Sequence, residues 1–528
     1  MKTLKKSQRK QNKKTTYKKM YGGTIVEIHL ENGDDYIGEV FCDKIPHGRG
    51  KMYFKNKLKI DGNWNMGQLE GKCILYNING KVEYDGEMKN DMFNGQGKYY
   101  ENGKLEYDGE WKNDTQDGQG KIFHPNGQLM YDGGWENFKY NGQGKLYYDN
   151  GKLEYDGEWE NSMYNGKGKS FYENGQPDYD GEWENSMYNG QGKVFYKNGQ
   201  VDYDGEWENG MRSGKGKLFY DNGQVWYDGE WKNDIHNGQG KYYYDDGVLV
   251  YDGEWKNDMQ NGQGKSFHEN GTIFCRGEWK NGMQNGQGEI FNEDDGKINY
   301  KGECKNDLRN GKGIDYYENG QPIYDGLWEK GVRNGQGKSF YENGQPKYDG
   351  EWEKGMRSGL GKSFHENGKI DYDGTWEDDM YNGQGKLFYE NGKIDYDGRW
   401  EKGIRYGAGK HYYKDGALMY DGQWKNNIEN GDGKLFWYNG QLLYDGSWKN
   451  GMRYGRGKSF YVNGKVTYDG RWENGMYNGE GKTFNDKGQL IYDGGFKNNI
   501  FNGIGKYYNE EGKLIYSGIW ENGKRING

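Results

Sequence analysis

From Tyr36 onward, short runs of alternating polar and apolar residues recur with a period of 24. Aligned on the segment Tyr-Asp-Gly-Glu-Trp, the units start at Tyr36, Ile60, Tyr84 and Tyr107, and the last of 21 starts at Tyr516. One step, after Tyr84, is 23 residues and one, after Cys275, is 25. A fixed period in this range marks a solenoid or array. The unit 155–178 reads YDGEWENSMYNGKGKSFYENGQPD, and its slots are numbered from the tyrosine. Slot 3 is glycine in all 21 units, and slot 5 holds 17 of the 19 tryptophans, the exceptions being Val40, Met88, Cys304 and Phe496. Slots 12 and 14 are glycine in every unit from Tyr84 to Tyr492, and slots 20 and 21 are usually Asn-Gly. Asn-Gly between alternating runs predicts a two-residue hairpin loop of type I′, in which both residues take φ > 0. Asn, Asp, Ser and Gly at slots 7 to 12 predict the second reversal. Each unit therefore reads as two short strands.

Alternation assigns the faces. With slots 1 to 6 paired to slots 13 to 18, the slot 5 ring would lie opposite the slot 14 glycine and the slot 1 ring opposite slot 18. Glycine weakens a strand interior, so its recurrence at slots 3, 12 and 14 is read as clearance for large rings. Asp at slot 2, Glu at slot 4 and Lys at slot 15 would share the opposite face as cross-strand ion pairs. Slot 17 is aromatic throughout (Phe171, Phe195, Phe219, Tyr243) although alternation puts it on the polar face. A β-bulge near slot 16, absent from the 23-residue unit, is expected to turn it inward.

Composition narrows the class. The 528 residues include 94 glycines and 50 tyrosines, only 32% are hydrophobic and 17% are aromatic, so an aliphatic core is excluded and rings must replace it. A mean hydropathy of −1.30 would suit a disordered chain, but the aromatic content and 5 prolines do not. No apolar run approaches a membrane span and no signal peptide is recognised, so an intracellular, cytoplasmic or membrane-peripheral location is expected. Cys42, Cys73, Cys275 and Cys304 lack CxxC spacing and read as reduced structural thiols.

Residues 1–20 stand apart, with eight lysines, Arg9 and no acid against a net charge of −9 for the whole chain. They read as a basic, disordered tail. Lys5, Lys6, Arg9, Lys10, Lys13, Lys14, Lys18 and Lys19 are the candidate contacts to an anionic surface, with nucleic acid a partner only through this tail. Residues 21–35 contain TIVEIHL (Thr24 to Leu30), read as a strand capping the N-terminal edge, and 36–528 form the repeat solenoid.

Searches for catalytic chemistry return architecture. His124, His268 and His365 occupy slot 18, where tyrosine is usual, and no His/Cys cluster has metal-ligand spacing. Gly337-Lys338-Ser339 resembles the end of a phosphate-binding loop, but Gly331 stands one residue too far upstream and the context is strand-turn-strand. No catalytic, cofactor or metal residue is assigned, and the chain is read as a non-enzyme.

The pattern resembles the MORN repeat, close to Y-x-G-x-W-x-x-G-x-x-x-G-x-G with a hairpin turn after it; Tyr155, Gly157, Trp159, Gly166 and Gly168 are representative structural positions. The Y-x-N-G-[KQ] segments are similar to the bacterial variant. The resemblance implies an all-β, extended, single-layer antiparallel β-meander solenoid of about 21 hairpin units. Some 42 strands at about 4.8 Å spacing would extend roughly 200 Å before coiling. Few enzymes need such a surface, so a scaffold is expected that binds protein partners and self-associates through sheet edges as a homo-oligomer. The alternative is a peripheral module that binds anionic phospholipids through tail and repeats, an association the family implies; an antitoxin-like role is implied by the bacterial variant. Trp226, Trp437 and the variable slots 9 to 11 (Met211-Arg212-Ser213, Ile404-Arg405-Tyr406) are the irregular positions best suited to contact.

Overall fold

The computed structural model describes residues 14–17, 25–30, 33–42 and 45–526, and divides the chain into units of residues 1–260 and 261–528. Both are antiparallel meanders. In the first, strand Lys14–Tyr17 pairs with Ile25–His29, which lies in the expected capping segment and pairs in turn with Asp34–Phe41; neighbour-to-neighbour pairing continues to Leu249–Lys256. In the second, the same order runs from Ile273–Lys280 to Leu514–Glu521, after which comes the two-residue strand Lys524–Arg525. No helix occurs among the described residues. The all-β, one-layer meander expected from the repeats is the fold.

The repeat starting at Tyr155 shows how a hairpin is made. Strands Leu153–Glu160 and Met163–Phe171 are joined by Asn161 and Ser162, both at positive φ (52° and 65°), so the two-residue type I′ turn sits at slots 7 and 8. The next reversal is of another kind. Gly175 donates its N–H to the Tyr172 carbonyl at 2.7 Å, and Gly175 alone adopts positive φ (89°), which is a type I turn closed by a glycine bulge. Asn174 serves by its side chain, accepting the Gln176 N–H at 2.8 Å and donating to the Lys197 carbonyl of the next repeat at 3.0 Å. The Asn-Gly of slots 20 and 21 is thus a hairpin turn, as expected, but not of type I′. The 23-residue repeat differs: Asn102 and Gly103 both have positive φ, as Lys55 and Asn56 do in the first repeat, and its missing residue is a turn residue.

Placing the tight turn at slots 7 and 8 shifts the expected pairing by two at slots 1 and 3, and by four at slot 5, where the register shifts again between Gly157 and Trp159. Tyr155 faces Ser170 (slot 16), Gly157 faces Gly168, and Trp159 faces Tyr164 (slot 10); on its other side, Trp183 faces Gly166 (slot 12) of the preceding repeat. The register shift expected near slot 16 is present, but the extra residue is on the facing strand: Ser170 faces Tyr179 and Phe171 faces Pro177, with Asp178 (slot 24) bulged between. The short repeat has the same shift at Tyr99/Tyr100, so its length is unrelated to the bulge. Slot 17 therefore keeps the polar face that alternation gives it. Arg276, a slot 2 residue, lies 5.2 Å from the Phe291 ring centroid, while the slot 16 side chains Ile122, Leu146 and Val194 pack on the buried cluster.

The core lies within the layer. Tyr155 is fully buried, its ring laid along its own hairpin so that a Cβ on Gly157 or Gly168 would overlap its hydroxyl. The hydroxyl donates to the Glu158 carbonyl at 2.9 Å. Tyr164 stacks on it at 3.8 Å and 13°, and Trp159 and Trp183 meet it edge-on at 5.2 and 5.7 Å. Slots 3 and 14 are thus glycine for space, as expected, whereas slot 12 adopts positive φ, 63° at Gly166. Each repeat is tied to its predecessor: Trp159 Nε1–H donates to the Gly144 carbonyl at 3.1 Å, and the Ser162 hydroxyl accepts the Tyr140 N–H at 3.1 Å. On the polar face Lys145 meets Asp156 at 3.0 Å and Lys169 meets Asp180 at 2.8 Å, the expected ladder, drawn between repeats.

Candidate interaction surface

The type I′ turn sets the orientation of the returning strand. Slots 9 to 11 begin that strand instead of forming the turn, and alternation sends them to different environments. Slot 10 enters the ring column, as Tyr164, His236 or Arg212, the last 4.3 Å from the Trp231 centroid. Slot 11 turns to the polar side, where Asn189 donates to Glu184 at 2.5 Å. Slot 9, directly after the turn, stands out from the edge. In the first unit Met163, Met187, Met211 and Met259 are exposed there, Met187 by 42%; in the second Met283, Val332, Met380, Ile404, Ile428 and Met452 are exposed there, Met452 by 44%. Successive repeats are two strands apart, so these side chains recur at about 10 Å intervals. Some rest on the next turn: a Cβ on Gly210 would touch Met187, and one on Gly451 would touch Ile428. Beside Val332 a depression of about 790 Å³ is walled by Leu327 and Trp352.

Of the irregular positions, Trp226 and Trp437 are half-buried; Trp226 lies 5.9 Å from the Tyr220 ring. Ile404 and Met211 belong to the exposed row, while Arg405 and Arg212 are drawn into the ring column. Recurrent Met or Ile at slot 9 was the signal for this row, hidden while the slot was assigned to a turn. The positions Tyr155, Gly157, Trp159, Gly166 and Gly168 come together around one ring. Lys5, Lys6, Arg9, Lys10, Lys13, Lys18 and Lys19 lie outside the described residues, and Lys14 begins the first strand. At slot 18, His124 and His365 contact through Nε2 the slot 17 carbonyls of Tyr147 and Phe388, at 3.0 and 3.4 Å, where Tyr148 donates its hydroxyl to the Phe171 carbonyl at 2.6 Å. These histidines take the place of tyrosine. Cys73, Cys275 and Cys304 are buried free thiols at slots 14, 1 and 5, and burial raises all three above the ordinary thiol value.

No helix among the described residues is long and apolar enough to cross a membrane. No curated protein sequence matches the chain. Among solved structures it is similar, at 9% identity and a TM-score of 0.14, to TcdB2-TccC3 without its hypervariable C-terminal region, over 95% of this chain and 24% of that one. It is likewise similar to a Photorhabdus luminescens Tc holotoxin pore, at 10% identity and a TM-score of 0.10, over 92% and 25%. The chain spans about a quarter of the length of those toxin chains. The MORN repeat matches in successive segments from 36–59 to 492–512, and a MORN repeat variant matches 98–113 and 140–161. With glycine, tyrosine and tryptophan in one recurring geometry across these segments, the chain belongs to the MORN-repeat family.

Proposed function

We propose that this chain is a non-enzymatic scaffold that binds protein partners along the turn edge of its repeats. The slot 9 row of exposed methionine and aliphatic side chains carries this proposal, with Met187 and Met452 as representatives. Exposed apolar patches mark interaction sites, and methionine, with its flexible chain, suits surfaces that accept varied partners. A partner laid across the row would bury one methionine or aliphatic side chain at each successive repeat from Met163 to Met211 and from Val332 to Met452. Proximity labelling in the native cell, comparing the natural chain with a variant carrying Met163→Gln, Met187→Gln and Met211→Gln, tests it. Partners present with the natural chain and lost with the variant are expected; an unchanged set would sink the proposal. Peripheral attachment to anionic membrane is the second proposal, supported by the basic residues of 1–20, each worth about 1 kcal/mol near an anionic surface.

A further inference from the structure

In the repeat starting at Tyr324, slot 10 is Arg333, whose guanidinium lies 4.9 Å from the Tyr324 centroid and 5.2 Å from that of Trp352. The slot 10 arginines on either side are engaged, Arg309 with Asp315 at 3.0 Å and Arg357 with Asp379 at 2.9 Å. Arg333 has no carboxylate within ion-pair distance among the described residues; the carboxylate that acts on it most strongly, Asp315, is held by Arg309. Burial pulls its guanidinium below the ordinary arginine value.

One substitution, at slot 24, meets Arg333 at this place. In the repeats starting at Tyr155 and Tyr348, the slot 16 serine donates to the slot 24 acid, Ser170 to Asp178 at 3.2 Å and Ser363 to Asp371 at 2.8 Å. Here slot 24 is Lys347, so Ser339, only 5% exposed, loses that acceptor, and the exposed Lys347 sets its Nζ 5.5 Å from the Tyr341 ring centroid. Ser339 belongs to the Gly-Lys-Ser segment whose Lys338 points to the other face and pairs with Asp349 at 3.1 Å. Arg333, Ser339 and Lys347 line one cavity of about 450 Å³, walled by Ile323, Tyr348 and Trp352, with the Arg357–Asp379 pair also on its lining. That volume falls in the range of small-molecule sites.

We infer that this cavity binds a small soluble organic oxyanion, a carboxylate or phosphate monoester on a flat apolar body. The planar guanidinium matches two oxygens at once, Lys347 adds a point charge and the Ser339 hydroxyl donates. Ile323 and the Trp352 ring take the body.

Calorimetric titration of the full chain with phenyl phosphate, benzoate and inorganic phosphate tests the inference. One saturable site for phenyl phosphate or benzoate is expected, and whichever binds more tightly identifies the anion. Arg333→Gln is expected to weaken it by about tenfold or more, and Lys347→Gln by a smaller factor. Glutamine already occupies slot 10 at Gln116 and Gln284, so the Arg333→Gln chain retains an accepted residue, and an unchanged melting temperature verifies this. Arg453→Gln, at slot 10 of a repeat whose slot 24 is Thr467, leaves binding unaltered. Absence of saturable binding for all three probes up to about 10 mM overturns the inference, as does equal binding by Arg333→Gln. Inorganic phosphate binding as tightly as phenyl phosphate would remove the role given to the apolar wall.

Discussion

Trp183 donates its indole N–H to the carbonyl of Gly168 in the preceding repeat, at 3.1 Å, while the same glycine lies under the Tyr155 ring. One residue thus joins two repeats and clears space for a third group. Trp183→Phe keeps a ring, as Phe496 does naturally at slot 5, but leaves a buried carbonyl without its donor, a loss of about 1–3 kcal/mol. Gly168→Ala places a Cβ against the Tyr155 hydroxyl and Cζ and is expected to cost at least as much, since the ring has no free space to enter. Hydrogen exchange measured repeat by repeat checks both. Protection is expected to fall first in the repeats beginning at Tyr155 and Tyr179; loss spread evenly along the chain would contradict the nearest-neighbour coupling.

The repeat, its two strands and the clearing role of slots 3 and 14 were legible because glycine and rings recur there without exception in the regular units. Register was less so. Asn161-Ser162 adopts the type I′ turn that Asn174-Gly175 advertises, and Asn174 is selected for its side-chain hydrogen bonds, which resemble turn chemistry in sequence. That exchange moved Met163 from a loop to an exposed strand edge and Arg333 from a loop to the ring column. The bulge was placed correctly in the ladder but on the wrong strand, because a ladder shift at Ser170/Phe171 is equally satisfied by an extra residue at Asp178. The Arg333 cavity was illegible, since it depends on residues at slots 10, 16 and 24 that meet only after folding.

Buried phenols make the fold sensitive to alkali. Burial, together with hydrogen bonding to Asp178, Asp202 and Asp395, pushes Tyr172, Tyr196 and Tyr389 up to about 12, and burial holds Tyr155 still further above the ordinary value. An unfolded tyrosine titrates near about 10. Above that pH the folded chain binds more protons than the unfolded one, so stability is full below about 10 and falls as pH rises toward 12 and beyond. Circular dichroism and tyrosinate absorbance tracked together should change in one cooperative step in this window. Gradual tyrosinate formation near 10 with the fold intact would show that the phenols are not held protonated by the folded layer.

The basic leader gives the membrane proposal a direct test. Flotation with vesicles rich in anionic lipid is expected to carry the full chain and to leave behind a variant lacking residues 1–20, because the remaining residues carry net negative charge. Raised salt should release the full chain, as screening shortens the reach of these charges. Equal flotation of both chains would place the contact on the repeats, and flotation of neither would end the membrane proposal.

Self-association has its own candidate face. In strands Ile500–Tyr508 and Leu514–Glu521, Ile504 and Ile519 stand opposite each other and are 75% and 56% exposed. In most other repeats this pair of slots is polar, as in Lys167 with Glu182 or Gln143 with Glu158, and where an aliphatic enters, as at Leu327 or Leu360, its partner is Lys312 or Thr375. Two exposed isoleucines in place of a polar pair add apolar area that a second copy can cover. The double variant Ile504→Gln, Ile519→Glu restores the residue types of the other repeats, so its hairpin is expected to fold as theirs do. Sedimentation velocity over a concentration series should show the natural chain associating and the variant monomeric, with matching circular dichroism. A natural chain that sediments as a monomer throughout the series would exclude self-association through this face, and a variant that associates as strongly would move the contact elsewhere.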